Sequence, residues 1–185
     1  MEEKQIEINE RKISYTVKNS RRAKGIRLAI SCDGGVKVTA PYFLNYNVIE
    51  KFIFEKSKWI LSKLDYFKKQ DYIFIKSGSF LRHKEEAYNL AKERIEYLNS
   101  FYGFKYNKIS IRNQKSRWGS CSKKNNLNFS YKIAFLPKDI VEYIIVHELC
   151  HLKEFNHSKD FWELVSKAIP EYIIKRKQLK RFKFL

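Results

Sequence analysis

The stretch His147-Glu148-Leu149-Cys150-His151-Leu152-Lys153-Glu154-Phe155-Asn156-His157 holds three of the chain's four histidines, and its reading decides the fold. Written as a helix, it sets His147 and His151 roughly 400° apart round the axis and about 6 Å apart along it, so both imidazoles leave one face. That geometry suits two ligands of one metal ion. Glu148 stands beside the first histidine. Its carboxylate can reach a water on that ion without replacing a ligand, as in zinc hydrolases that use glutamate as general base.

His157 adds a third nitrogen. On a continuous helix it would lie about 9 Å further along the axis and face away from the other two, so coordination requires the helix to end and the chain to turn back. Asn156 is the residue here that most readily takes the left-handed conformation closing a helix. Ser158 and Asp160 read as the N-cap and acidic first turn of the next helix. The pattern therefore predicts zinc held by His147, His151 and His157 with one tetrahedral position open, the mark of a catalytic site. The competing reading is a chance HExxH pair of hydrogen-bonded histidines on an amphipathic helix. The third histidine and the apolar run IVEYIIV at 140–146 weigh against it. Cys150 lies off the line joining His147 and His151 and reads as a small core residue rather than a ligand.

From Ile109 to Trp162 the chain resembles the YgjP-like metallopeptidases, metal-dependent hydrolases of unknown substrate. The residues that carry the resemblance are SRWGSC at 116–121, HELCHL at 147–152 and NHSKDFW at 156–162. Wider relatives of that family are zincin-fold peptidases, including the WLM and SprT-like proteases that act on DNA-bound proteins. The resemblance implies a zincin-like α+β fold in which a small antiparallel sheet packs on the HExxH-bearing helix, after an N-terminal strand and helix extension. Where metzincins break that helix at a glycine, this chain has Glu154, so the turn is expected at Asn156. Some zincins take a downstream glutamate as third ligand, which makes Glu171 the rival to His157. Zincin sheets present an exposed edge to which an extended peptide can add as a strand. Asn126 to Ala134 is the expected edge, with Arg117 and Trp118 near one end of the cleft as substrate-binding residues; the alternative is a core tryptophan and a surface ion pair. Tyr172 is the phenol expected to assist on the substrate side.

The 185-residue chain is 44% hydrophobic and 16% aromatic, enough to bury a sizeable core and exclude general disorder. Its six glycines and three prolines leave little room for a long linker, so one compact body is expected, with 1–70 as the N-terminal strand and helix region and 71–185 as the metallopeptidase domain. No apolar run approaches the roughly 18 residues of a membrane helix, and the acidic start MEEKQIEINE is unlike a signal peptide. Cys32, Cys121 and Cys150 are widely spaced without a CxxC pair, which suits reduced thiols and a cytoplasmic location.

Alternation in QIEINERKISYTVK predicts one hairpin, and RLAIS, DGG and VKVTAP a second, closed by Pro41. Helical spacing of Val48, Ile49, Phe52, Ile53, Trp59, Ile60, Leu64 and Phe67 predicts a helix from Asn45 to about Lys69, and another fits Lys84 to Phe101. KISIRN and NLNFSYKIAFL read as strands flanking RWGSC. The metal-bearing helix then starts at Pro137.

Charge is the second informative feature: 38 Lys and Arg against 20 Asp and Glu give a formal +18, which draws a protein towards nucleic acid. Basic residues concentrate at KNSRRAKGIR, KSRWGSCSKK and KRKQLKRFK, the last expected as an amphipathic helix with Ile173, Ile174, Leu179 and Phe182. Solvated charge is the simpler account of such runs. Two functions follow from these observations. One is a zinc peptidase acting on peptide or protein substrates with Glu148 as general base. The other is a basic nucleic-acid-associated module with a structural or vestigial zinc site, binding DNA or RNA without sequence preference. An intact Glu148 favours the first, because a structural site needs no base.

Overall fold

The computed structural model describes residues 2–75 and 78–184 and divides into two compact units, Met1–Tyr72 and Ile73–Leu185. The buried apolar residues make two separate clusters, one in each unit.

In the first unit, β1 (Glu2–Ile8) and β2 (Arg11–Ser20) form the expected hairpin, with Ile6 opposite Ile13. Asn9 and Glu10, at φ 47° and 63°, make the two-residue turn whose left-handed backbone matches strand twist. β3 (Arg27–Ile30) and β4 (Val36–Pro41) form the second hairpin. The hairpins join through a parallel pairing of β2 with β4, giving the order β1-β2-β4-β3. Ile13, Tyr15, Val17, Val36, Val38 and Ala40 bury one face of this sheet. The single helix expected from Asn45 is two, α1 (Tyr46–Glu55) and α2 (Ser57–Lys68), parted at Lys56 where ψ swings to 8°. Val48 and Trp59 are 47% and 42% exposed, so the apolar stripe is wider than the face the core can take.

The second unit opens with β5 (Ile73–Ile75) and α3 (Phe80–Asn99), which turns Ala87, Ala91, Ile95 and Leu98 inward at three- and four-residue spacing. β6 (Lys108–Arg112), β7 (Gly119–Cys121) and β8 (Asn126–Ser130) then build a sheet in the order β6-β8-β7. The α+β class and the small sheet beside the HExxH helix are as expected, but the sheet is mixed. The chain leaves β6 for the far edge at β7 and returns to the middle, so β8 runs parallel to β6 and antiparallel to β7. This corrects the edge assignment. Asn126–Ser130 is the central strand, and Tyr131–Phe135 is a 3-10 helix capped by Ser130, whose Oγ accepts the Lys132 N–H at 3.4 Å. The edge strand on the helix side is β7.

α4 (Lys138–Cys150) follows, its first turn closed by the Pro137 carbonyl, which accepts the N–H groups of Ile140 and Val141. Nine of its thirteen residues are buried, and each fully buried Ile or Leu contributes about 1.5–3 kcal/mol. α5 (Lys159–Ala168) starts at Ser158 as expected, with the Ser158 Oγ accepting the Phe161 N–H. α6 (Tyr172–Leu179) leads to β9 (Phe182–Phe184), which pairs with β5. Ile173 and Ile174 are each 55% exposed, so α6 does not bury the apolar stripe expected of it. No described helix is long and apolar enough to cross a membrane.

Candidate metal centre

α4 carries His147 on its last turn and ends one residue before His151, earlier than the sequence suggests. Asn156 is not among the residues with positive φ. The chain instead tightens directly after α4: the N–H groups of Leu152 and Lys153 bond back three residues to Leu149 and Cys150. His151 then takes part in the reversal itself, its Nδ1 lying 2.9 Å from the Glu154 carbonyl oxygen. No glycine or left-handed residue is required. A hydrogen bond from the would-be ligand does that work.

The reversal brings His157 back over α4. His147 Nε2 lies 3.2 Å from His151 Nε2 and 3.1 Å from His157 Nε2, and these three residues form a group of nitrogens able to hold one ion. Glu171 is not in that group; it is the exposed N-cap of α6. Phe161, fully buried, sits under the cluster with its ring 4.9, 4.6 and 4.8 Å from those of His147, His151 and His157.

The hydrogen bonding tests whether a metal fits. The Glu154 carbonyl can only accept, so His151 carries its proton on Nδ1 and presents a lone pair at Nε2. Protonation of His147 does not relieve the crowding, since burial first, then His151, His157 and Arg176, push its pKa down to about 3. His157 is also lowered, by burial and then by His151 and Arg176. With the His151 lone pair directed at His147 Nε2, a single proton cannot satisfy both contacts of that atom, whereas a cation satisfies all three nitrogens together. Tetrahedral zinc with Zn–N distances of about 2.0–2.1 Å needs nitrogens roughly 3.3 Å apart, close to the observed separations. His147 Nδ1 is buried with no hydrogen-bond partner among the described residues.

Glu148 is buried beside the cluster, and burial lifts its pKa to about 8, against the lowering effects of the Cys121 backbone N–H and the Arg117 charge. Positive charge at the histidine nitrogens would draw that value back down. Its carboxylate crosses close to β7. A Cβ on Gly119 would lie 2.7 Å from both Glu148 Cγ and Oε1, so any other residue there would push the Glu148 side chain aside.

The structure thus brings Arg117 within electrostatic reach of Glu148 and puts Trp118 directly before β7, half-buried against the core, its carbonyl accepting the Ser130 N–H at 2.8 Å. Tyr172 reaches the histidines only through Trp162, on which its ring stacks at 5.1 Å. Sequence reasoning missed Tyr143 and gave Gly119, Trp162 and Arg176 no role at the histidines and Glu148. Tyr143 was findable: it precedes His147 by four residues, its buried ring lies 6.0 Å from that imidazole, and burial raises its pKa. Cys150 is fully buried, as expected of a core residue.

The profile of the YgjP-like metallopeptidase domain matches residues 79–182. No curated protein matches the chain significantly. Among solved structures, the metallopeptidase zymogen abylysin of Pyrococcus abyssi is 23% identical, with 51% of this chain and 99% of that one covered at a TM-score of 0.44. A mutant of Wss1 from Saccharomyces cerevisiae is 20% identical over 57% and 90%, TM-score 0.41. The jannalysin zymogen of Methanocaldococcus jannaschii is 25% identical over 50% and 94%, TM-score 0.38.

Proposed function

This chain belongs to the YgjP-like metallopeptidase family, and from that premise we propose that it hydrolyses peptide bonds with zinc held by His147, His151 and His157 and with Glu148 as general base. Membership makes it a metal-dependent hydrolase of peptide or protein substrates. The observation that carries the finer reading is the convergence of three Nε2 atoms at 3.1 and 3.2 Å about His147, with the lone pair of His151 directed by the Glu154 carbonyl. Three neutral imidazoles suit zinc.

When bound, zinc supplies the Lewis acidity that polarises the scissile carbonyl and makes water a nucleophile at neutral pH. Glu148 takes the proton of the attacking water on a carboxylate oxygen and returns it to the leaving amine as the C–N bond breaks. The Cys121 N–H and the bare α-carbon of Gly119 hold that carboxylate in place. β7 pairs with β8 along one side only, so its other edge can add an extended substrate as a further strand, with Arg117 and Trp118 at its start. Phe161 backs the histidine rings and limits their rotation.

Metal analysis of the purified chain tests this reading, with about one zinc per chain expected. His157→Ala should lose it and Glu171→Ala should keep it. The reverse result would overturn the ligand set. The free cysteines Cys32, Cys121 and Cys150 support a reducing, cytoplasmic setting.

The net charge of +18 supports a secondary, sequence-independent affinity for nucleic acid. The C-terminal run contributes less than its composition suggests, because Lys175 is paired with Asp139 at 2.7 Å. The exposed Arg21, Arg22 and Lys24, between β2 and β3, are the better test. Their replacement by glutamine should weaken DNA binding and flatten its salt dependence. Absence of binding at low salt would leave the charge as composition.

A further inference from the structure

Trp162 extends the site one layer beyond the histidines. Its indole lies 5.6 Å from the His157 ring at an interplanar angle of 28°, and Tyr172 stacks on it at 5.1 Å and 13°. The Arg176 guanidinium, one helical turn after Tyr172, sits 4.8 Å from the Trp162 ring. A guanidinium held against an indole by its charge keeps N–H groups that can bond elsewhere.

Among the described residues, no carboxylate lies within ion-pairing distance of Arg176, although its neighbour Lys175 is paired with Asp139. The side chain is exposed. A fixed positive charge beside a cluster built to hold a cation is unfavourable for metal binding by Coulomb's law. Its presence is accounted for if a negative group arrives with the substrate.

We infer that Arg176, anchored on Trp162, is a specificity-determining residue that binds a carboxylate of the peptide substrate close to the scissile bond. Steps of 5.6 and 4.8 Å bring the guanidinium within roughly 10 Å of the His157 ring, the reach of about three extended residues. The planar fork of arginine can hold a carboxylate through two parallel hydrogen bonds. That carboxylate is either the C-terminal group of the peptide or an Asp or Glu side chain. The assignment rests on the metal centre proposed above and adds to it the chemical class of substrate.

The test uses the zinc-loaded full chain and the monohydroxamates of succinic, glutaric and adipic acid, each compared with its terminal amide. The hydroxamate group anchors on the metal, and the far carboxylate reaches for Arg176. Calorimetry should show the acid binding at least tenfold tighter than the amide for one or more chain lengths. Arg176→Gln should bring the acid down to the level of its amide with zinc content intact, and Arg176→Lys should restore part of the difference. A general loss of structure would weaken acid and amide alike. Equal affinities in the parent protein, or a preference that survives Arg176→Gln, would overturn the assignment while leaving the metal centre standing. Failure of every hydroxamate to bind would overturn the metal reading and this assignment together. Cleavage of peptides with free against amidated C-termini, and with Glu against Gln beside the scissile bond, then separates the two sources. Arg176→Gln should abolish whichever contrast the parent protein shows.

Discussion

In the first unit, α1 and α2 bury Ile49, Ile53 and Ile60 and leave Val48, Phe54 and Trp59 exposed, whereas in the second α4 buries nine of its thirteen residues. Both units set helices against a mixed sheet. α1 and α2 are thus held along one narrow stripe of buried side chains. α4 is enclosed on nearly every side, and the position of His147 and Glu148 is set by packing as much as by their own rotamers. Enclosure also has a cost, since a buried carboxylate must be compensated; the Cys121 N–H and the Arg117 charge supply part of that.

The comparison breaks most visibly at Glu148. Glu148→Gln should retain zinc and lose about 10²–10⁴-fold in turnover, measured on metal-replete protein; turnover close to the parent's would show that enclosure places some other base. Truncation of the two cores sharpens the contrast. Ile145→Ala in α4 and Ile53→Ala in α1 should each cost about 2–5 kcal/mol of stability by denaturant titration. Only the first should also weaken zinc binding, and equal effects on zinc would dissolve the distinction between the units.

Glycines offer a smaller and more local contrast. Gly119→Ala drives a methyl against the Glu148 carboxylate and should lower turnover about 10²-fold with zinc retained, the order expected for a base displaced by an ångström. Gly25→Ala meets nothing within 4 Å and should leave stability and turnover within error. The smallest measurable loss belongs to the rim of α4. Lys175 holds the Asp139 carboxyl below its ordinary range, so the folded pKa is depressed. The contribution is present above the usual carboxylate value of about 4 and fades as pH falls through the folded one. Lys175→Ala should therefore cost about 0.2–1 kcal/mol near neutral pH and much less in acid, as a pair of thermal melts would show.

What could be read in advance was local. His147 and His151 share a face because four residues make slightly more than a turn, and Ser158 caps α5 because its hydroxyl meets an N–H three residues on. The Asn9–Glu10 hairpin turn is legible for the same reason. Glu148 stood out by its place beside a ligand. The misreadings arose where distant segments compete. Asn126–Ser130 alternates like any strand, and nothing in it tells an edge from a centre; β7 takes the edge because the chain crosses over between β6 and β8. Asn156 was favoured by its tolerance of positive φ, but a carbonyl satisfied by the His151 ring made that conformation unnecessary.

Spacing and capping therefore indicated, from the sequence by itself, that three histidines and a glutamate could share one site, because His147, Glu148 and His151 lie within little more than one helical turn and Ser158 opens a new helix directly after His157. Only the tertiary structure decided what surrounds them. Gly119 lies against Glu148 across 29 residues of chain, and Trp162 joins His157 to Arg176 across two helices. Such contacts come from burial between elements far apart in sequence, and no periodicity along the chain encodes them.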